Sequence, residues 1–286
     1  MAHLLAASIL WAFSFGLIKG HLTGLDPGIV ACGRLILAAA VFAPFLGRIT
    51  VRGRALLQVL GLGVVQFGLM YVLYIAAFEY LAAWMVALMT IFTPFYVVGL
   101  AGLISGGLNR RHLAAALLAV VGAGIVLVDG LPDGGDWRGV VLLQGANLCF
   151  ALGQVVFPRL REGLGWPESG LLAWMYQGAA LFALVMVLLD HPDVSGWDGQ
   201  AVLVLTYLGV VPTALGFYLW NKGAARTSSA LLAAANNLKI PLAVLVSWLV
   251  FGEEAPYLRA LAGMALISAG LILVQPPRDR DPARSP

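Results

Sequence analysis

Long apolar runs alternate with short polar breaks along the whole chain. A helix that crosses a bilayer needs about 20 mostly apolar residues. Ten segments fit: 2–18, 28–46, 55–78, 81–105, 112–128, 139–157, 167–189, 200–221, 227–251 and 257–274. Several breaks carry helix punctuation, as at Asp26-Pro27, Pro132-Asp133-Gly134-Gly135, Trp166-Pro167 and Ala255-Pro256. The pattern predicts an all-α polytopic membrane protein with ten transmembrane helices.

Charge sorts onto one side of these spans. The even-numbered connections and the C-terminal tail hold 12 Lys and Arg residues, from Arg48, Arg52 and Arg54 to Arg278, Arg280 and Arg284. The odd-numbered connections hold only Lys19, Arg138 and Arg259. Excess Lys and Arg mark the cytoplasmic side, so both termini are expected in the cytoplasm. Ten of the 14 acidic residues fall on the Lys-poor side; acidic residues weigh little in topology, so this only corroborates the assignment.

Composition supports a lipid solvent. The 286 residues are 61% hydrophobic and 11% charged, with a mean hydropathy of +0.92, whereas soluble domains carry about 25% charge. The net charge of +3 is spread over short loops, so no nucleic-acid surface is expected. Cys32 and Cys149 lie inside spans and no Cys/His pair has metal-site spacing, so neither a metal nor a cofactor is expected. Met1-Ala2-His3 lacks the Lys or Arg of a signal peptide, so the first span is expected to be retained. The tail, 276–286, is polar, Pro-rich and expected to be disordered.

The chain also repeats itself. Residues 121–128 (Val-Gly-Ala-Gly-Ile-Val-Leu-Val) match 267–274 (Ile-Ser-Ala-Gly-Leu-Ile-Leu-Val). Gly63-Val64-Val65 matches Gly209-Val210-Val211, Tyr71 pairs with Tyr218, and Pro94 pairs with Pro241. The unit is five spans, giving one repeat over 1–130 and a second over 131–275. Five is odd, so the second copy enters the membrane inverted. Inverted repeats are a transporter signature, with a substrate site between the copies near the midplane.

These features together resemble the drug/metabolite transporter superfamily in its ten-helix EamA branch. The resemblance rests on Trp11-Ala12-Phe13-Ser14-Phe15, Gly33-Arg34, Pro94, Pro241, Phe251-Gly252-Glu253-Glu254, Ala262-Gly263 and Gly270. Within that branch the chain is most similar to the YddG-type exporters of aromatic amino acids. It departs in one place: span four ends Ser105-Gly106-Gly107-Leu108, where the second half has Gly252-Glu253-Glu254-Ala255. The resemblance implies a multi-pass carrier in a bacterial inner membrane, whose partners are lipid and a small-molecule substrate. Two complete halves make a monomer the expected state.

Arg34 and Lys239 are the two cations inside spans. An intramembrane charge is a functional candidate by default. Arg34 could instead snorkel to the interface or pair with a backbone carbonyl. Lys239 follows Asn236 and Asn237 and precedes Pro241, whose missing amide leaves the Asn237 carbonyl without its helical donor. That grouping suits a substrate carboxylate, although Lys239 could equally satisfy polar groups on a neighbouring helix. Phe67, Tyr71, Tyr74 and Phe78 fall on one helical face, as do Met85, Met89, Phe92 and Tyr96. Such stripes either pack the protein or wall a pocket for an aromatic or large apolar cargo.

The expected substrate site is therefore Trp11, Tyr71, Tyr74, Phe78, Phe92, Tyr218, Asn236, Asn237 and Lys239, with Pro94 and Pro241 as kinks that gate it. Amino acids with aromatic or large apolar side chains are the expected cargo. A drug, lipid or nucleotide-sugar carrier is the alternative. No acidic residue lies at mid-membrane, so no carboxylate proton switch is expected. No catalytic grouping is evident, so the chain is not expected to be an enzyme.

Overall fold

The computed structural model describes residues 2–50, 52–105, 136–224, 242–253 and 257–274, with isolated positions 114, 117, 118, 121, 122, 125 and 240. Among the described residues every regular element is helical. Helix α1 spans Ala2–His21. Helix α2, Pro27–Phe42, starts with Pro27 in its first turn and with the Asp26 carboxylate accepting the Ile29 amide at 2.9 Å. A 3-10 stretch, Ala43–Arg48, containing Pro44, extends it. Helix α3 spans Gly53–Tyr80 and contains a π segment at Val64–Leu69.

Helix α4 runs Ala83–Met89, tightens to a 3-10 turn at Thr90–Phe92, and continues as Thr93–Ser105. Pro94 sits just after the tightened turn. In a regular helix its missing amide would have bonded the Thr90 carbonyl. Helix α5, Trp137–Leu164, ends at Gly165 in the left-handed region (φ 64°). It outruns the expected span, and Pro158 lies inside it rather than at its end. Helix α6 is Glu168–Asp190. Helix α7 runs Gly199–Leu208, passes through a second π segment at Gly209–Leu215, and continues as Gly216–Ala224. Helix α8 covers 242–250 and α9 is Tyr257–Val274.

Seven of these helices are long and apolar enough to cross a membrane. Large side chains such as Leu57 (71% exposed), Val141 (71%) and Leu249 (81%) stand outward. In water such a surface would drive aggregation, whereas acyl chains solvate it. The chain is a polytopic helical membrane protein. The predicted span 112–128 lies almost wholly outside the described residues, as does the first half of 227–251.

Packing is dominated by contacts between the first and second halves of the chain. Helix α2 lies along α6, α1 along α7, and α3 along α5; α2 also meets the π segment of α7, and α3 meets α6. Swapping α1, α2 and α3 for α5, α6 and α7 maps this set of pairs onto itself. Glycines let two of the crossings close. A Cβ on Gly63 would stand 2.0 Å from the Met175 carbonyl oxygen, and one on Gly209 would stand 2.7 Å from the Leu37 Cβ. Backbones approach this closely in lipid only where a side chain is missing.

Candidate functional site

A partly open cavity of about 90 Å³ lies between the helices. Its walls are apolar: Trp11 and Phe15 from α1, Met70, Tyr71 and Tyr74 from α3, Ala146 and Phe150 from α5, and Phe217 from α7. Its polar groups come from two places. Arg34 of α2 supplies donors, while Ser14, Thr90, Thr93 and Asn147 supply the rest.

Arg34 is buried, 2% exposed. It does not snorkel. Its Nε and Nη2 donate to Thr213 Oγ1 at 3.2 and 2.9 Å, and Nη2 donates to the Tyr71 hydroxyl at 3.4 Å. The guanidinium carbon lies over the Tyr71 ring, 4.4 Å from its centroid. Nη1 is buried with no hydrogen-bond partner. Among the described residues no carboxylate pairs with this cation. A buried charge without a counter-charge is costly, so an anion entering the cavity would be held there.

The second polar group has the opposite character. The hydroxyls of Ser14, Thr90 and Thr93 donate to the Leu10 carbonyl (3.0 Å), the Ala87 carbonyl (2.7 Å) and Asn147 Oδ1 (3.3 Å). Asn147 Nδ2 donates to the Met89 carbonyl at 3.0 Å. With their protons committed, the hydroxyls have only lone pairs left for the cavity, so this group accepts hydrogen bonds.

The π segment of α7 organises the wall behind Arg34. Residues in a π turn bond five back rather than four, which alters the pairing of nearby carbonyls. Trp11 Nε1 donates to the Pro212 carbonyl at 2.8 Å and Tyr176 donates to the Thr213 carbonyl at 2.9 Å. Tyr176 in turn stacks on Phe67, with centroids 4.5 Å apart.

The Lys-poor end of the bundle is tied separately. The Glu253 carboxylate accepts the amides of Ala83 (2.8 Å) and Trp84 (2.9 Å) and also the Ser247 hydroxyl. It thus caps α4, whose own N-cap residue, Ala82, offers no side-chain acceptor. The Phe251 ring fills the space over Gly16, where a Cβ would meet it at 2.1 Å. Lys19 Nζ donates to the Phe78 carbonyl at 2.6 Å, and Glu79 accepts the Gly24 amide at 3.0 Å.

Of the residues singled out from the sequence, Trp11, Arg34, Tyr71 and Tyr74 line the cavity. Phe78 is buried behind it against Phe15 and Tyr74. Phe92 packs on Phe95 outside the lining, and the Tyr218 ring faces Lys222, 5.4 Å away. Asn236, Asn237, Lys239 and Pro241 lie outside the described residues. Sequence reasoning missed Thr213, Asn147, Thr90 and Thr93. A polar residue beside a proline in an apolar span, as in Pro212-Thr213, was the one available signal.

A cavity walled by both halves of a polytopic helical protein, with the Arg34 cation unneutralised among the described residues, suits a membrane transporter. The chain belongs to the EamA-like transporter family, which it matches twice, over residues 1–128 and 137–275. A biotin transporter of Salmonella typhimurium is 35% identical over 281 residues, covering 95% of this chain and 91% of that one. A probable amino-acid metabolite efflux pump of the same organism is 28% identical over 276 residues, covering 93% and 91%. One solved structure superposes with a TM-score of 0.65 at 22% identity, covering 95% of this chain and 94% of that one, and so shares the fold.

Proposed function

We propose that this chain is a secondary carrier of a small amphiphilic carboxylate, with biotin as the leading candidate. The observation that carries the reading is Arg34: a buried cation on the cavity, without a carboxylate partner among the described residues and with a free Nη1. Biotin offers a carboxylate for Arg34, an apolar chain and ring for the aromatic walls, and ureido N–H groups for the acceptors at Ser14, Thr90 and Thr93. The 35% identical biotin transporter supports that choice of cargo.

The cavity would be served by ten helices in two inverted five-helix halves, rocking to alternate access. Three observations support this: the double family match, the pairwise exchange of helix contacts, and π segments at corresponding places in α3 and α7. The Lys and Arg asymmetry supports cytoplasmic termini, and the bacterial relatives support a plasma-membrane location. An aromatic or large apolar amino acid is the second reading. It too would place a carboxylate on Arg34 but would bring an ammonium group to the acceptors. The 28% identical efflux pump favours it. Lys239, Asn236 and Asn237 remain proposed members of the site.

Counterflow in liposomes tests both readings. Labelled biotin should exchange, with an excess of phenylalanine or leucine leaving the exchange intact, and Arg34→Gln should abolish it. Exchange of amino acids without biotin would establish the second reading. Unchanged biotin flux through Arg34→Gln would refute the site.

A further inference from the structure

We infer that Thr213 is the positioning residue that sets carboxylate selectivity, acting through Arg34. The inference rests on the proposed function and adds a residue from the opposite half of the chain. Pro212 has no amide, so the Leu208 carbonyl lacks the donor an α-helix would give it. In the π turn that carbonyl is served from five residues on, and the Thr213 hydroxyl joins there, donating to the Leu208 oxygen at 2.7 Å. Its proton is thereby fixed on the backbone, and its lone pairs face the other way. The Nε and Nη2 groups of Arg34 and the Tyr71 hydroxyl, which donates at 3.2 Å, share them.

Three features make this a built arrangement. Thr213 is fully buried. Its backbone is held by Tyr176 at the Thr213 carbonyl and by Trp11 at the preceding one. Its hydroxyl occupies the Nε and Nη2 edge of the guanidinium, and Nη1 is the nitrogen left without a partner. Without the hydroxyl, Nε loses its acceptor and Nη2 keeps only the long bond to Tyr71, so the guanidinium can turn toward the carbonyls of α7. An anion would then meet a cation already occupied elsewhere. A neutral cargo would be little affected.

The test compares binding of biotin and of its neutral amide by purified full-length protein, read by calorimetry. Wild type should prefer the acid. Thr213→Val keeps the shape and removes the hydroxyl; it should weaken acid binding by about tenfold, the worth of a hydrogen bond to a charged group. Amide binding should hold within about twofold, a shift well under the worth of one hydrogen bond. Thr213→Ser should retain the acid preference. Pro212→Ala restores a competing amide at Leu208 and should reduce that preference, which keeps the test open if the valine variant fails to fold. Equal weakening of acid and amide in Thr213→Val, or an unchanged acid preference, overturns the inference alone. A wild-type protein that binds neither compound overturns biotin as the cargo, and the same comparison of phenylalanine with its amide then decides this inference by the same outcomes.

Discussion

The Glu253 carboxylate should hold the Lys-poor end of the protein closed, and Glu253→Ala should loosen it. Helix α4 begins with two amides that no residue of its own start can satisfy, and Glu253 takes both, at 2.8 and 2.9 Å. Removing a capping side chain costs about 0.5–2 kcal/mol. Loss of the negative charge at a helix N-terminus adds about 0.3–1 kcal/mol. The site is only partly buried, so water recovers some of this, and about 2 kcal/mol is the expected total. Glu253→Gln keeps one acceptor and should lose about half as much. For a chain of this size about 2 kcal/mol corresponds to a fall in Tm of about 4–8 °C.

The same cap joins α4 to the segment after α8, so its loss should also favour an open cavity. A population shift of about 2 kcal/mol is roughly thirtyfold. The assay is alkylation of a cysteine placed at Ser14, on the cavity wall, in protein whose Cys32 and Cys149 are replaced. Alkylation of the Glu253→Ala form in detergent should be at least several-fold faster. If both Tm and alkylation stay at their parent values, water satisfies the Ala83 and Trp84 amides equally well and the capping argument is wrong. A lower Tm with unchanged alkylation would leave the cap as plain stabilisation and remove its part in closure.

Other predictions follow from single contacts. Gly63→Ala places a methyl 2.0 Å from the Met175 carbonyl oxygen and should destabilise the protein by about 3 kcal/mol or prevent folding. Gly61→Ala meets open space and should be neutral within about 0.5 kcal/mol or slightly stabilising, as thermal unfolding of the pair will show. Trp11→Phe removes the bond to the Pro212 carbonyl and should cost about 1 kcal/mol of stability, with weaker cargo binding by calorimetry. Asn147→Leu strands the Met89 carbonyl and the Thr93 hydroxyl. It should lower stability by about 2 kcal/mol and select against cargo that donates hydrogen bonds.

Much of the site was legible because its strongest signals are local. Arg34 is a charge among apolar neighbours, and Tyr71 and Tyr74 share a face by spacing alone. The limits have physical causes. In a π segment each extra residue turns the helix by about 100°, so regular spacing could not choose between Phe217, which lines the cavity, and Tyr218, which faces Lys222. Thr213 looked like any threonine in an apolar span, because its role depends on Arg34, 179 positions away. Glu253 read as an acidic residue at a span end. Only the folded chain brings Ala83 and Trp84 to it.

The sequence by itself determined the solvent and the kind of element. Apolar runs of this length leave the backbone no choice but to satisfy its own hydrogen bonds as helices in lipid. The tertiary structure decided which helices meet, where π turns and glycines let them close, and which polar groups face the gap. Those outcomes depend on contacts between residues far apart in the chain, and no local pattern encodes them.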